Sequence, residues 1–176
     1  SALNRLEKIA GVHAFSAFEH EFQLKSSSGL LGEGFGRAGF ENQRELCEAI
    51  ITQIEATGLQ TDSIMKEYGP EQYEVVIGPE EGIRAADAAV IVREIVRSTA
   101  RHLGEEATFA PILDPSSVGN GVHVHISFRD ADGLSKTFDP DGKCGMSKLT
   151  ESFAAGVLKD LDSILAITAP SVISYL

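Results

Sequence analysis

Hydrophobic positions recur along the chain with two periods, and the switches between them mark out the elements. Residues 3–10 read as a short helical lead-in. Over 12–24, VHAFSAFEHEFQL, the residues alternate, so that Phe18, His20 and Phe22 fall on one face of a strand and Glu19 and Glu21 on the other. Residues 26–40 are rich in Ser and Gly and read as a loop. Leu46, Ile50 and Ile54 then recur at helical spacing and predict a helix over 41–57, with Gly58 placed to end it. Residues 61–68 and 72–77 read as two strands around a Gly69-Pro70 turn, a β-hairpin. The Ala-, Val- and Ile-rich stretch 83–103 predicts a helix ended by Gly104, and 106–111 a short strand. After the polar loop DPSSVGNG, residues 121–128, GVHVHISF, alternate as a strand. The ADG and DPDG turns predict a hairpin with a ragged tip over 130–145. Ser147 is placed to cap one last helix running to about Thr168, with Phe153, Val157, Leu161, Ile164 and Thr168 as its stripe and Pro170 just beyond.

Strands that pair through turns, with helices between them, predict an α+β fold built on an antiparallel β-sheet rather than a doubly wound one. A length of 176 residues predicts one domain. Hydrophobic residues make up 43% and charged residues 23%, ordinary globular usage. No run approaches the roughly 18 apolar residues of a membrane span, so no membrane is predicted as a partner. The balance of 15 basic and 26 acidic residues, net −11, leaves no basic surface to track phosphates, so no nucleic acid is predicted either. Most of that charge is accounted for by a soluble, self-repelling surface. Cys47 and Cys144 are far apart and outside any CxxC, which fits a reducing, cytoplasmic setting. No basic-then-apolar leader opens the chain. The start at Ser1-Ala2-Leu3 and the apolar end at Leu176 read as cut points within a longer protein.

Three groups of residues carry candidate chemistry. Glu19 and Glu21 share a strand face, where neighbouring carboxylates repel unless they are solvated or bridged by a cation. Glu67 and Glu74 flank the Gly69-Pro70 turn and meet if the strands pair, although each alone reads as an exposed glutamate. His123 and His125 face one way on their strand, either as an ordinary histidine pair or as ligands for a divalent ion. Ahead of them, Gly119-Asn120-Gly121 could bring backbone N–H groups to an anionic ligand. Arg93, Arg97 and Arg101 share a helix face and read as a solvated or ion-paired stripe. Asp114, Asp139 and Asp141 sit in turns and are explained by them, and neither cysteine is given a catalytic role. Each group alone has a structural explanation. Together, four glutamates and one or two histidines from three strand-like segments point to a carboxylate-rich site for a hard divalent cation. Such an ion suits phosphoryl transfer better than zinc hydrolysis.

The order of these motifs resembles the catalytic domain of glutamine synthetase. Phe18-Glu19-His20-Glu21-Phe22 is similar to that family's first metal strand, and Glu67-Tyr68-Gly69-Pro70-Glu71-Gln72-Tyr73-Glu74 to its glutamate hairpin. The helix AADAAVIVREIVRSTARHLG, the run GNGVHVHIS and the segment TAPSVISY resemble three further family motifs in the family's order. Together they cover roughly residues 14–176.

The resemblance implies a glutamine synthetase/guanido kinase fold. It implies that Glu21, Glu67 and Glu74 hold one Mg²⁺ or Mn²⁺ ion, and that Glu19 and His123 contribute to a second, which bridges ATP phosphates. His125 and Ser127 take the ATP-side positions, and Gly119 the loop that touches the amino-acid substrate. ATP then activates the γ-carboxylate of glutamate as an acyl phosphate, which ammonia or an amine attacks. The family's pattern further implies that residues 1–176 form a single partial catalytic domain, without the N-terminal β-grasp domain or the C-terminal part. No complete catalytic set and no turnover by the chain alone are expected, within a parent that assembles as a ring homo-oligomer. Val118 stands where the family commonly has Asn, Glu71 where it has Gly and Tyr73 where it has Trp, and the family's Lys after Pro111 is missing. The acceptor is left open between ammonia and an amine. The alternatives are a non-catalytic metal- or ligand-binding scaffold of the same fold and a metal-dependent hydrolase using the histidines.

Overall fold

The computed structural model describes residues 2–25 and 34–175. The long strand β1 (His13–Leu24) organises the sheet. It pairs with β3 (Gln72–Ile77), which pairs in turn with β2 (Thr61–Lys66). The short strand β4 (Glu80–Glu81) continues the path β2-β3-β1-β4, and β5 (Ala107–Thr108) and β6 (Val122–Arg129) also pair with β1. β2/β3, β1/β3 and β1/β5 are antiparallel. The chain is therefore α+β with an antiparallel sheet and packed helices, as its patterning predicts.

The chain divides into two compact units. The first, residues 17–125, closes around a core of its own. Every residue of β3 is buried, because the strand lies between β1 and β2 and is covered on its apolar side. That cover comes from α3 (Arg44–Ala56), through Leu46, Cys47, Ile50 and Ile54, and from α4 (Ile83–His102), through Ala88, Val92, Val96 and Ala100. Gly58 and Gly104 follow these helices with φ of +83° and +81°, the left-handed step that ends a helix most cheaply at glycine. Cys47 lies inside this core, and burial pushes its thiol up to about 12, so it stays protonated and inert.

The second unit comprises residues 1–16 and 126–176. It holds α1 (Ala2–Ala10), α5 (Lys148–Lys159) and α6 (Leu161–Thr168), none of which has a buried residue. Phe128 is buried there and meets Phe153 edge-on at 5.2 Å.

Several elements differ from their predicted form. Residues 26–33 of the predicted loop lie outside the described residues, and its residues 37–40, with the first two of the helix predicted over 41–57, form a short helix, α2 (Arg37–Asn42), braced by an Arg37–Glu41 pair at 3.2 Å. The strand predicted over 106–111 is only Ala107–Thr108, because Thr108 Oγ1 accepts the Ala110 N–H at 3.2 Å and Pro111 follows. No hairpin ladder forms over 130–145. Asp130 Oδ1 accepts the N–H groups of Asp132 (3.1 Å) and Leu134 (2.9 Å), and Asp139 Oδ1 that of Asp141 (3.0 Å). These turns satisfy the backbone locally and leave only the bridges Arg129–Ser135 and Phe138–Met146. The single helix predicted to Thr168 is two. Asp160, at φ −104° and ψ 17°, leaves helical geometry, and its carbonyl starts α6 by accepting from Ser163 and Ile164. Ser147 caps α5 as predicted, accepting the Thr150 N–H at 3.2 Å. No helix among the described residues is long and apolar enough to cross a membrane.

Candidate metal centre

All four predicted glutamates and both histidines belong to the unit of residues 17–125. The registers explain why they converge. Glu21 is the cross-strand partner of Glu74, Glu19 is the partner of Val76 next but one along, and Met65 of β2 is opposite Glu74 just before the turn that carries Glu67. Alternation then sends Glu19 and Glu21 away from the core while His20 and Phe22 are buried.

Glu19, Glu74 and His123 each bring a ligand atom within 4.8 Å of the others. His123 Nδ1 lies 3.0 Å from Glu19 Oε2 and 4.0 Å from Glu74 Oε2. His125 Nε2 lies 2.9 Å from the other oxygen of Glu19, so both imidazoles reach the same side of β6. Glu74 is only 7% exposed. Burial, then the charges of Glu19, Glu67 and Glu21, push its carboxyl up to about 7, with His123 opposing. Glu67 is raised as well, chiefly by burial, against the N–H of Tyr68, which its Oε2 accepts at 3.2 Å. This is a pocket of carboxylates short of positive charge. A donor set of carboxylate oxygens and one imidazole fits a hard divalent cation such as Mg²⁺ or Mn²⁺.

A polar scaffold that no periodicity announced holds these side chains. Gln72, 1% exposed, places its amide nitrogen 2.8 Å from Glu21 Oε2, 2.9 Å from the Gly119 carbonyl and 3.1 Å from Asn120 Oδ1. Its Oε1 accepts the Gly69 N–H at 2.8 Å, so one side chain ties the glutamate turn to the glycine loop. Asn120 Nδ2 donates to the Ala110 carbonyl at 2.8 Å. Two of the three N–H groups expected to meet an anion are already engaged. Gly121 donates to Glu21 Oε2 at 2.9 Å and Asn120 to the Pro111 carbonyl at 2.7 Å. Gly119 is required by close approach, since a Cβ there would lie 2.5 Å from Pro111 O. The only sequence signal for the scaffold is that Gln72 and Asn120 sit inside motifs chosen for their neighbours.

Over residues 1–176 the chain matches the family of the glutamine synthetase catalytic domain. The chain belongs to the glutamine synthetase family. It is 31% identical to type-1 glutamine synthetase 1 of Dictyostelium discoideum, over 99% of this chain and 38% of that protein. It is 34% identical to a gamma-glutamylpolyamine synthetase of Streptomyces coelicolor, over 82% of this chain and 31% of that protein. A crystal structure described as a novel glutamine synthase homolog superposes with a TM-score of 0.93 at 36% identity, covering 99% of this chain and 41% of that one. The chain thus spans about two fifths or less of the length of these relatives.

Two departures from the family's motifs acquire a physical meaning. Glu71, in place of glycine, sits at φ +48°, a left-handed conformation that costs a side-chain-bearing residue about 1 kcal/mol. Val118, in place of asparagine, packs on the turn, with its Cγ2 2.6 Å from where a Cβ on Gly69 would be. Ser127 is half-buried on β6 in the other unit.

Proposed function

We propose that this chain supplies the divalent-cation and nucleotide-phosphate part of an ATP-dependent carboxylate–amine ligase. In that reaction the γ-carboxylate of glutamate takes the γ-phosphoryl of ATP to form an acyl phosphate. Ammonia or an amine then displaces phosphate. The observation that carries the reading is the convergence of Glu19, Glu74 and His123 within 4.8 Å, in a chain whose residues 1–176 match the family of the catalytic domain.

Glu21, Glu67 and Glu74 would hold one Mg²⁺ or Mn²⁺ ion, and Glu19 and His123 a second. Bound cations supply neutralisation of the phosphate charge that builds up during phosphoryl transfer. This chain's residues set the geometry. Gln72 and the Gly121 N–H fix Glu21. His123 and His125 fix the two oxygens of Glu19. His125 and Ser127 take the ATP side and Gly119 the substrate side, with a similar gamma-glutamylpolyamine synthetase placing polyamines beside ammonia among the candidate acceptors.

Equilibrium titration of ATP, with and without Mn²⁺, tests this reading. Binding that requires Mn²⁺ and falls about tenfold or more in Glu19→Gln is expected. ATP binding that is equal without Mn²⁺ and unchanged in the variant would contradict it.

A further inference from the structure

The arginine stripe of α4, whose spacing reads as a solvated or ion-paired face, is ion-paired at Arg97 and partly buried. Arg93, Arg97 and Arg101 line a cavity of about 560 Å³ with Thr108 and Phe109. Arg93 and Arg97 are half-buried, their guanidinium carbons 5.1 and 5.2 Å from the centre of the Phe109 ring. Phe109 meets the His20 ring edge-on at 6.0 Å. His20 is 2% exposed, and neither of its ring nitrogens has a partner among the described residues. Because His20 alternates with Glu19 and Glu21, the cavity is on the opposite face of the sheet from the carboxylates.

The local charges do not cancel. Arg97 pairs with Glu94 at 2.8 Å, and Glu106 on the cavity wall is taken by Lys25 at 2.5 Å. Arg93 and Arg101 have no ion pair among the described residues. Two surplus cations therefore gather around a half-buried aromatic ring, in a chain whose net charge is −11. Burial, and then the charge of Arg97, hold the Arg93 guanidinium below its ordinary range, with Glu94 opposing them only in part. An anion between the two arginines would offset that charge, and guanidinium forks match carboxylate and phosphate oxygens.

We propose that this cavity is a second ligand site, binding a small polyanion with two or more phosphate or carboxylate groups. Successive arginines lie about 6 Å apart along the helix, so two anionic groups at that spacing engage Arg93 with Arg97, or Arg97 with Arg101.

Calorimetric titration of pyrophosphate and of citrate in metal-free buffer tests the site, because the carboxylate cluster repels both without a cation. Saturable binding of at least one is expected, with the tighter of the two assigning phosphate or carboxylate as the ligand class. Affinity falls about tenfold or more in Arg93→Gln/Arg97→Gln and several-fold in Arg101→Gln. It stays unchanged in Arg84→Gln, which removes the same charge from an arginine of α4 paired with Glu80 outside the cavity. Circular dichroism checks that the double variant folds. If it does not, the exposed Arg101→Gln decides, and unchanged affinity there overturns the proposal. Failure of both anions to bind saturably, or equal weakening by Arg84→Gln, also overturns it.

Discussion

Residues 17–125 bury a large cluster of apolar side chains, whereas residues 1–16 and 126–176 bury few of theirs. The first unit has the buried cluster of Phe22, Leu46, Ile50, Ile54, Val75, Val92 and Val96. Among the described residues of the second, only Val12 and Phe128 are buried apolar residues, while Ile9, Leu158, Ile167 and Val172 are exposed. Beside the Phe128–Phe153 contact, local polar bonds hold the second unit. Ser147 Oγ donates to the Lys136 carbonyl at 2.6 Å, Thr150 Oγ1 to the Thr137 carbonyl at 2.8 Å, and Lys136 pairs with Asp130 at 2.8 Å. The contrast separates two ways of specifying a backbone, one through burial and one through turns and caps. The carboxylate cluster is built on the first, where registers fixed by a packed core set the positions of its side chains.

Truncating matched residues in the two units gives the largest difference. Ile50→Ala removes a side chain with 0% exposure and should cost about 2–5 kcal/mol in urea unfolding. Ile167→Ala removes one that is 81% exposed and should stay within about 0.5 kcal/mol. Equal costs would break the comparison. A smaller effect sharpens it from the other side. Ser147→Ala deletes the α5 cap together with the bond to Lys136, and should cost about 1 kcal/mol in the same measurement. A neutral result would show that local bonds do not hold the second unit.

The sequence carried what is periodic or positional. The alternation that buries His20 and Phe22 and turns Glu19 and Glu21 the other way, the helix ends at Gly58 and Gly104, and the cap at Ser147 are all local rules. Contacts across long sequence separations left no such trace. Gln72 joins residues about fifty positions away on either side, and nothing in EYGPEQYE marks it as the hub. Arg93 and Arg97 read as a solvated or ion-paired face, with no sign of their ring contact, because Phe109 arrives from another element. The break at Asp160 leaves no sign in the pattern, because an apolar stripe runs through it unbroken and hydrophobic period is blind to a single cap residue. The stripe itself shows which side of α5 and α6 is apolar but not whether that side is buried, and in this structure it is not.

Glu74 ties the packed unit to the proposed chemistry. Its carboxyl, raised from 4.5 to about 7, keeps a proton in the folded chain that the unfolded chain has lost. Without a cation, its contribution to stability is therefore full below about pH 4.5 and is lost as pH rises through about 7. A cation must displace that proton, so its affinity should rise with pH up to about 7 and then level. Calorimetric titration of Mn²⁺ between about pH 6 and pH 8, on the protein and on Glu74→Gln, tests the carboxylate site most directly. Saturable binding that strengthens through pH 7, and that falls about tenfold or more and loses this pH dependence in the variant, is the predicted result. No saturable binding, or equal binding by Glu74→Gln, would contradict the assignment of the cluster as a cation site.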